Sequence, residues 1–92
     1  MYLQIVSPEA TLFSGAVTSV TVPGVDGEFQ MLNNHAAIVS VLVEGTIKIA
    51  APSFATSTSF EQKYSKNADK YLLPIKSGTL EMNDNKIMIL VD

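Results

Sequence analysis

The sequence predicts an all-β fold, a flattened β-sandwich or barrel of about eight to ten short strands, on three observations. Turn residues recur about every 8–12 positions, too often for long helices. The runs between them are rich in Val, Ile and Thr or alternate apolar with polar, as pleated, half-buried strands do. A sustained helical period is missing. The 92 residues are enough for one domain, 1–92, with no linker and no internal repeat.

Met1–Val6 alternates, with Leu3 and Ile5 on one face, until Pro8 breaks the run. Phe13-Ser14-Gly15 reads as a turn, and Ala16–Val22 as a Val/Thr strand stopped by Pro23-Gly24. Asp26-Gly27 signals a second turn, Glu28–Leu32 a short strand, and Asn33-Asn34 a break, since Asn tolerates left-handed backbone. Ala36–Val43 is nearly continuous apolar sequence, whose length and β-branched content favour a strand buried on both faces, with a buried helix left open by periodicity alone. After Glu44-Gly45, Thr46–Ala50 alternates with Ile47 and Ile49 inward and Lys48 outward. The Ser/Thr-rich stretch Ala51–Asp69 predicts a long hairpin or loop, with a solvated strand near Ser59–Tyr64. Lys70–Lys76 puts Tyr71, Leu73 and Ile75 on one face. Ser77-Gly78 turns, Thr79–Met82 is short, and Asn83-Asp84-Asn85 has the composition of a hairpin loop. Lys86–Val91 predicts a strongly buried final strand.

Composition narrows the function classes. The hydrophobic share of 47% is that of a globular chain. A net charge of −3 without a basic cluster gives no footprint for nucleic acid or anionic lipid. There are no cysteines, which removes disulfides and thiolate metal sites. No stretch reaches the ~20 apolar residues of a membrane-spanning helix, and the N-terminus lacks a charged leader.

Chemistry-bearing residues are sparse. His35 is the only histidine, with Glu28 seven residues away and Ser40 beyond. A triad from these three lacks the glycines of a nucleophile elbow. Asp26, Glu28 and His35 match no metal-ligand spacing. Pro23-Gly24-Val25-Asp26-Gly27 lacks the Lys-Ser/Thr of a phosphate loop. No catalytic residue, metal or cofactor is expected, and a binding or structural module is.

One series of motifs goes further. Ser7-Pro8-Glu9, Phe13-Ser14-Gly15, Val20-Thr21-Val22-Pro23-Gly24, Gly27-Glu28-Phe29, His35-Ala36, Leu42 and Gly45-Thr46-Ile47-Lys48-Ile49 follow one another in order. Ser77-Gly78, Leu80-Glu81, Asn85-Lys86-Ile87 and Ile89-Leu90-Val91 close the chain. Collinear and at this spacing, they resemble the epsilon subunit of F-type ATP synthases. The family usually has proline-glycine before the histidine and a proline after the alanine. Asn33-Asn34 and Ala37 stand there instead, so a less rigid corner is expected.

The resemblance implies a non-catalytic rotor subunit that links the gamma subunit to the c-ring. It would be peripheral, on the cytoplasmic face of the inner (plasma) membrane, as part of the complex. By motif position, Glu28, Phe29, Met31 and His35 match residues near the c-ring, and Ser7, Leu12 and Ser40 residues near gamma. Leu12, Phe13, Val39 and Val41 are candidates for surplus apolar surface. The helical hairpin that follows the sandwich in many members is not among these 92 residues, whether by nature or by truncation, so the family's inhibitory and ATP-sensing roles are not assigned to them. The alternative is a free-standing β-sandwich interaction or ligand-binding module.

Overall fold

The structure is a computed structural model that describes residues 1–50, 65–67 and 70–92. Among them lie ten strands: β1 Tyr2–Val6, β2 Thr11–Ala16, β3 Ser19–Gly24, β4 Gly27–Leu32, β5 Ile38–Leu42, β6 Gly45–Ala50, β7 Ser65–Asn67, β8 Lys70–Ile75, β9 Gly78–Asn83 and β10 Lys86–Val91. They hydrogen-bond in the order β2-β1-β10-β9-β5-β3-β6-β8-β7, with β4 on β3. The sheet curls into two layers, β2-β1-β10-β9-β5 and β4-β3-β6-β8-β7, joined where Gly24 pairs with Leu42. Neighbours run antiparallel except β1 and β10, which are parallel from Tyr2↔Lys86 to Val6↔Leu90. The strand expected near Ser59–Tyr64 lies outside the described residues.

Alternation builds the core. Leu3 and Ile5 of β1, Ile87 and Ile89 of β10, and Leu80 and Met82 of β9 point inward from one layer. Val20 and Val22 of β3, Met31 of β4, Ile47 and Ile49 of β6, and Leu73 of β8 meet them from the other. Each such side chain contributes about 1.5–3 kcal/mol on burial. Among the described residues no buried side-chain N or O lacks a partner.

Several expectations need correcting. Phe13-Ser14-Gly15 is not a turn: it lies inside β2, where Phe13 pairs with Ile5 and is buried. The reversal falls earlier, where the Ser7 N–H donates to the Ala10 carbonyl at 2.9 Å. Pro23-Gly24 likewise ends β3 in register with Glu28 and Gly27. The turn itself is Val25-Asp26, closed by Gly27 at φ 117, where other residues are strained.

The strand within Ala36–Val43 is not buried on both faces. Val39 and Val41 of β5 are 77% and 59% exposed, while Leu42 is core. β10 behaves the same way, with Met88 and Leu90 outward and Ile87, Ile89 and Val91 inward. The β9–β10 connection is a two-residue turn, Asp84 and Asn85, both at positive φ (51 and 63), the geometry whose twist suits a tight hairpin.

Candidate functional site

The site residues expected from sequence do not form one patch. Glu28 sits at the start of β4, beside the Val25-Asp26 turn, while His35 follows the end of β4. At ~3.3 Å per residue, the extended strand alone puts about 13 Å between Glu28 and Leu32. Neighbours in sequence have become opposite ends of a sheet, so Glu28 and His35 cannot share a proton or jointly contact one small group.

At the first end, the Glu28 carboxylate reaches across β3 to Lys48 on β6, with Nζ 3.1 Å from Oε2 and 3.3 Å from Oε1. Both side chains are well exposed, so the pair contributes at most about 1 kcal/mol and mainly fixes where the carboxylate stands. Phe29 is half-buried against the core, and Ser40 shares a shallow cleft with Gly24, Asp26, Glu28 and Phe29. The Ser40 hydroxyl donates to the Val41 carbonyl at 3.3 Å. Ser40, expected near a different partner, thus lies beside Glu28. Ser7 is at this end too, but its hydroxyl is used within its own turn, donating to the Ala10 carbonyl (3.2 Å) and accepting from the Ala10 N–H (3.3 Å).

Two expected contacts are core residues. Met31 is fully buried because alternation along β4 turns it inward. Leu12 is 3% exposed because β2 bulges at it, opposite Ile5 and Val6, so that Leu12 and Phe13 both face the core. Phe13 is buried as well, which leaves Val39 and Val41 as the surplus apolar surface.

At the second end, His35 is exposed. Its N–H donates to the Leu32 carbonyl at 3.1 Å, closing a turn with Asn34 at φ 65. Its Nδ1 lies 2.7 Å from the Ala36 carbonyl oxygen. A carbonyl only accepts, so this bond puts a proton on Nδ1 and leaves Nε2 for a partner. The corner is tied down more firmly than its residue types suggest. Asn85 Oδ1 accepts from the Asn34 N–H (2.8 Å), and Asn85 Nδ2 donates to Asn33 Oδ1 (2.9 Å). The Met1 ammonium donates to the same Asn33 oxygen (3.1 Å), and the Tyr2 N–H donates to the Asn85 carbonyl (3.1 Å). Three separate chain segments meet there, so the expected loss of rigidity is offset. Asn85, 50 positions from His35, carried no sequence signal for this role beyond being a turn former.

Between the two ends runs the outer face of β1, β10, β9 and β5. Register aligns Val6, Leu90, Thr79 and Val41 in one row and Gln4, Met88, Glu81 and Val39 in the next. Val39, Val41, Met88 and Leu90 are exposed together on it. Scattered exposed apolar residues are ordinary, but four on one sheet face, in two pairs flanking Thr79 and Glu81 of β9, suit an interaction surface. Among the described residues no group of three or more His, Asp or Glu side chains converges on a metal-sized site.

Comparison with known proteins decides the family. The family model described as "ATP synthase, Delta/Epsilon chain, beta-sandwich domain" matches residues 1–92. The chain belongs to this family. An ATP synthase epsilon chain from a Nitratiruptor species is 50% identical over 90 residues, covering 98% of this chain and 59% of that one. The epsilon chain of Campylobacter curvus is 34% identical over 92 residues, 100% of this chain and 60% of that one. That of Chlorobium limicola is 33% identical over 90 residues, 98% of this chain and 86% of the other. The chain thus spans about 60% of the length of the first two relatives. Among solved structures, a chain in the central stalk/c-ring structure of the Tetrahymena thermophila mitochondrial ATP synthase superposes with TM-score 0.70 at 19% identity, covering 98% of this chain and 61% of that one. A chain of the Euglena gracilis mitochondrial ATP synthase OSCP/F1/c-ring structure gives 0.74 at 18% identity, with 97% and 48% covered. These likenesses confirm the β-sandwich fold.

Proposed function

We propose that this chain is a non-catalytic rotor subunit of an F-type ATP synthase, a rigid piece that joins gamma to the c-ring so that the two turn together. The reading is supported by membership of the delta/epsilon family, and the observation that carries it is the exposed apolar face of β5 and β10 on a domain of this family. A flat apolar face suits a broad, well-packed protein contact, so we assign it to gamma. The strand end with Asp26, Glu28 and Ser40 is polar and suits the polar loops of the ring. Glu28 and His35 stand at opposite ends of β4, so we give Glu28 and Phe29 to the c-ring and His35 to the gamma side. Ser7, with its hydroxyl held in its turn, contributes shape rather than a hydrogen bond. Membrane association, at the cytoplasmic face, then comes through the complex. A free-standing binding module is not favoured by the family assignment.

The test is a reconstituted complex carrying Glu28→Ala or His35→Ala. Glu28→Ala should lower the coupling of ion pumping to ATP turnover, and His35→Ala should weaken retention on gamma, with the fold intact by circular dichroism. Normal coupling and retention in both single variants and the double variant would refute the assignment.

A further inference from the structure

The outer sheet face carries one carboxylate among its apolar side chains. Glu81 of β9 stands directly between Val39 of β5 and Met88 of β10, with Val41 and Leu90 one row along. Lys86, the charged group nearest along β10, is aligned with Asn83 and not with Glu81. Among the described residues Glu81 makes no ion pair. In the free chain this costs nothing, because water solvates the carboxylate. Covering the face changes the balance. Stripping water from an unpaired carboxylate is costly enough to cancel the gain from the surrounding apolar contacts. Lys86 lines the same depression one row away but makes no ion pair with Glu81, so a partner that covers this face has either to draw Lys86 over or to bring a positive charge of its own to that spot.

The same charge discriminates among occupants. A second copy packed face to face about a two-fold axis through this patch would bring one Glu81 against another, and like charges without water repel. A purely apolar partner brings no charge to the carboxylate. We propose that Glu81 is the charge determinant of this interface and pairs with one guanidinium or ammonium group on gamma. The proposal rests on the assignment of this face to gamma.

Binding of the chain to purified gamma, measured by calorimetry at several salt concentrations, tests both layers separately. Val39→Asp/Val41→Asp, at exposed positions, should abolish binding. Glu81→Gln, which keeps the shape and removes the charge, should weaken it about tenfold, or ~1.4 kcal/mol, and remove much of its salt dependence. Glu81→Lys should weaken it further, and a gamma variant with the matching cation changed to Glu should restore it. If Val39→Asp/Val41→Asp binds normally, the face is not the gamma surface and both readings fall. If that variant loses binding but Glu81→Gln keeps wild-type affinity and salt dependence, the face assignment survives and the role of Glu81 is overturned. Sedimentation showing self-association through this face, with gamma binding unaffected by Val39→Asp/Val41→Asp, would give the face to a second copy and overturn the proposal.

Discussion

Replacing Asn85 with Gly isolates the side-chain clasp that holds the His35 corner. Glycine keeps the positive φ of the hairpin turn (63°) and the backbone bond from the Tyr2 N–H. It removes only the two side-chain bonds, to the Asn34 N–H at 2.8 Å and from Nδ2 to Asn33 Oδ1 at 2.9 Å. The cluster is exposed, so water takes over the freed groups and each bond is worth the low end of the usual net value, about 0.5–1 kcal/mol. Together they amount to about 1–2 kcal/mol, which in a domain of this size lowers Tm by roughly 5–15 °C. Urea denaturation supplies the free energy, and hydrogen exchange at the Asn34 amide shows whether the loss is local. Asn85→Asp keeps the acceptor for Asn34 and should recover about half. Asn33→Ala and Asn85→Gly share a bond, so their effects should be less than additive. Unchanged stability in Asn85→Gly, with Asn34 exchanging at the wild-type rate, would show that the clasp does not hold the corner.

Two further predictions separate interior from surface. Met31→Ala should destabilise the fold by about 2–5 kcal/mol, the range for emptying a core site, whereas Val39→Ser should change stability by under about 0.5 kcal/mol; denaturant midpoints of the two variants check this, and equal effects would contradict their opposite placement. Gly78→Ala would put a Cβ 2.5 Å from the Leu90 carbonyl oxygen, a backbone atom that cannot step aside, so a loss of about 1–3 kcal/mol is expected in thermal unfolding.

Most of the strand pattern was legible because alternation is a direct record of which side chains face the core. Ile47, Lys48 and Ile49 of β6 and Tyr71, Leu73 and Ile75 of β8 fall where their period puts them. Failure came where both faces of a strand are apolar. Ala36–Val43 looks doubly buried, and Lys86–Val91 strongly buried, because a face apolar for a partner and a face apolar for the core use the same residues. Only the fold shows which face is still open, here that of Val39, Val41, Met88 and Leu90. The site failed for a different reason. Spacing along the chain says nothing about whether the intervening residues double back, and β4 runs straight from Glu28 to Leu32 before the turn that carries His35. Met31 and Leu12 were placed by motif position, which does not register pleat. The Asn85 clasp is a long-range contact with a hairpin turn, invisible to any local rule.

The parallel seam between β1 and β10 sets the order in which the molecule is made. Tyr2 cannot find Lys86 until every residue between them has left the ribosome. Its antiparallel partner β2 arrives at once, so an early hairpin forms with the outer edge of β1 unsatisfied while the rest of the polypeptide is translated. Pairing of such distant segments is slow, because the entropy of closing the loop is spent before any contact repays it. During that interval Leu3 and Ile5 have no β10 to pack beside, and the nascent chain depends on chaperone shelter or on speed to avoid sticking to its neighbours.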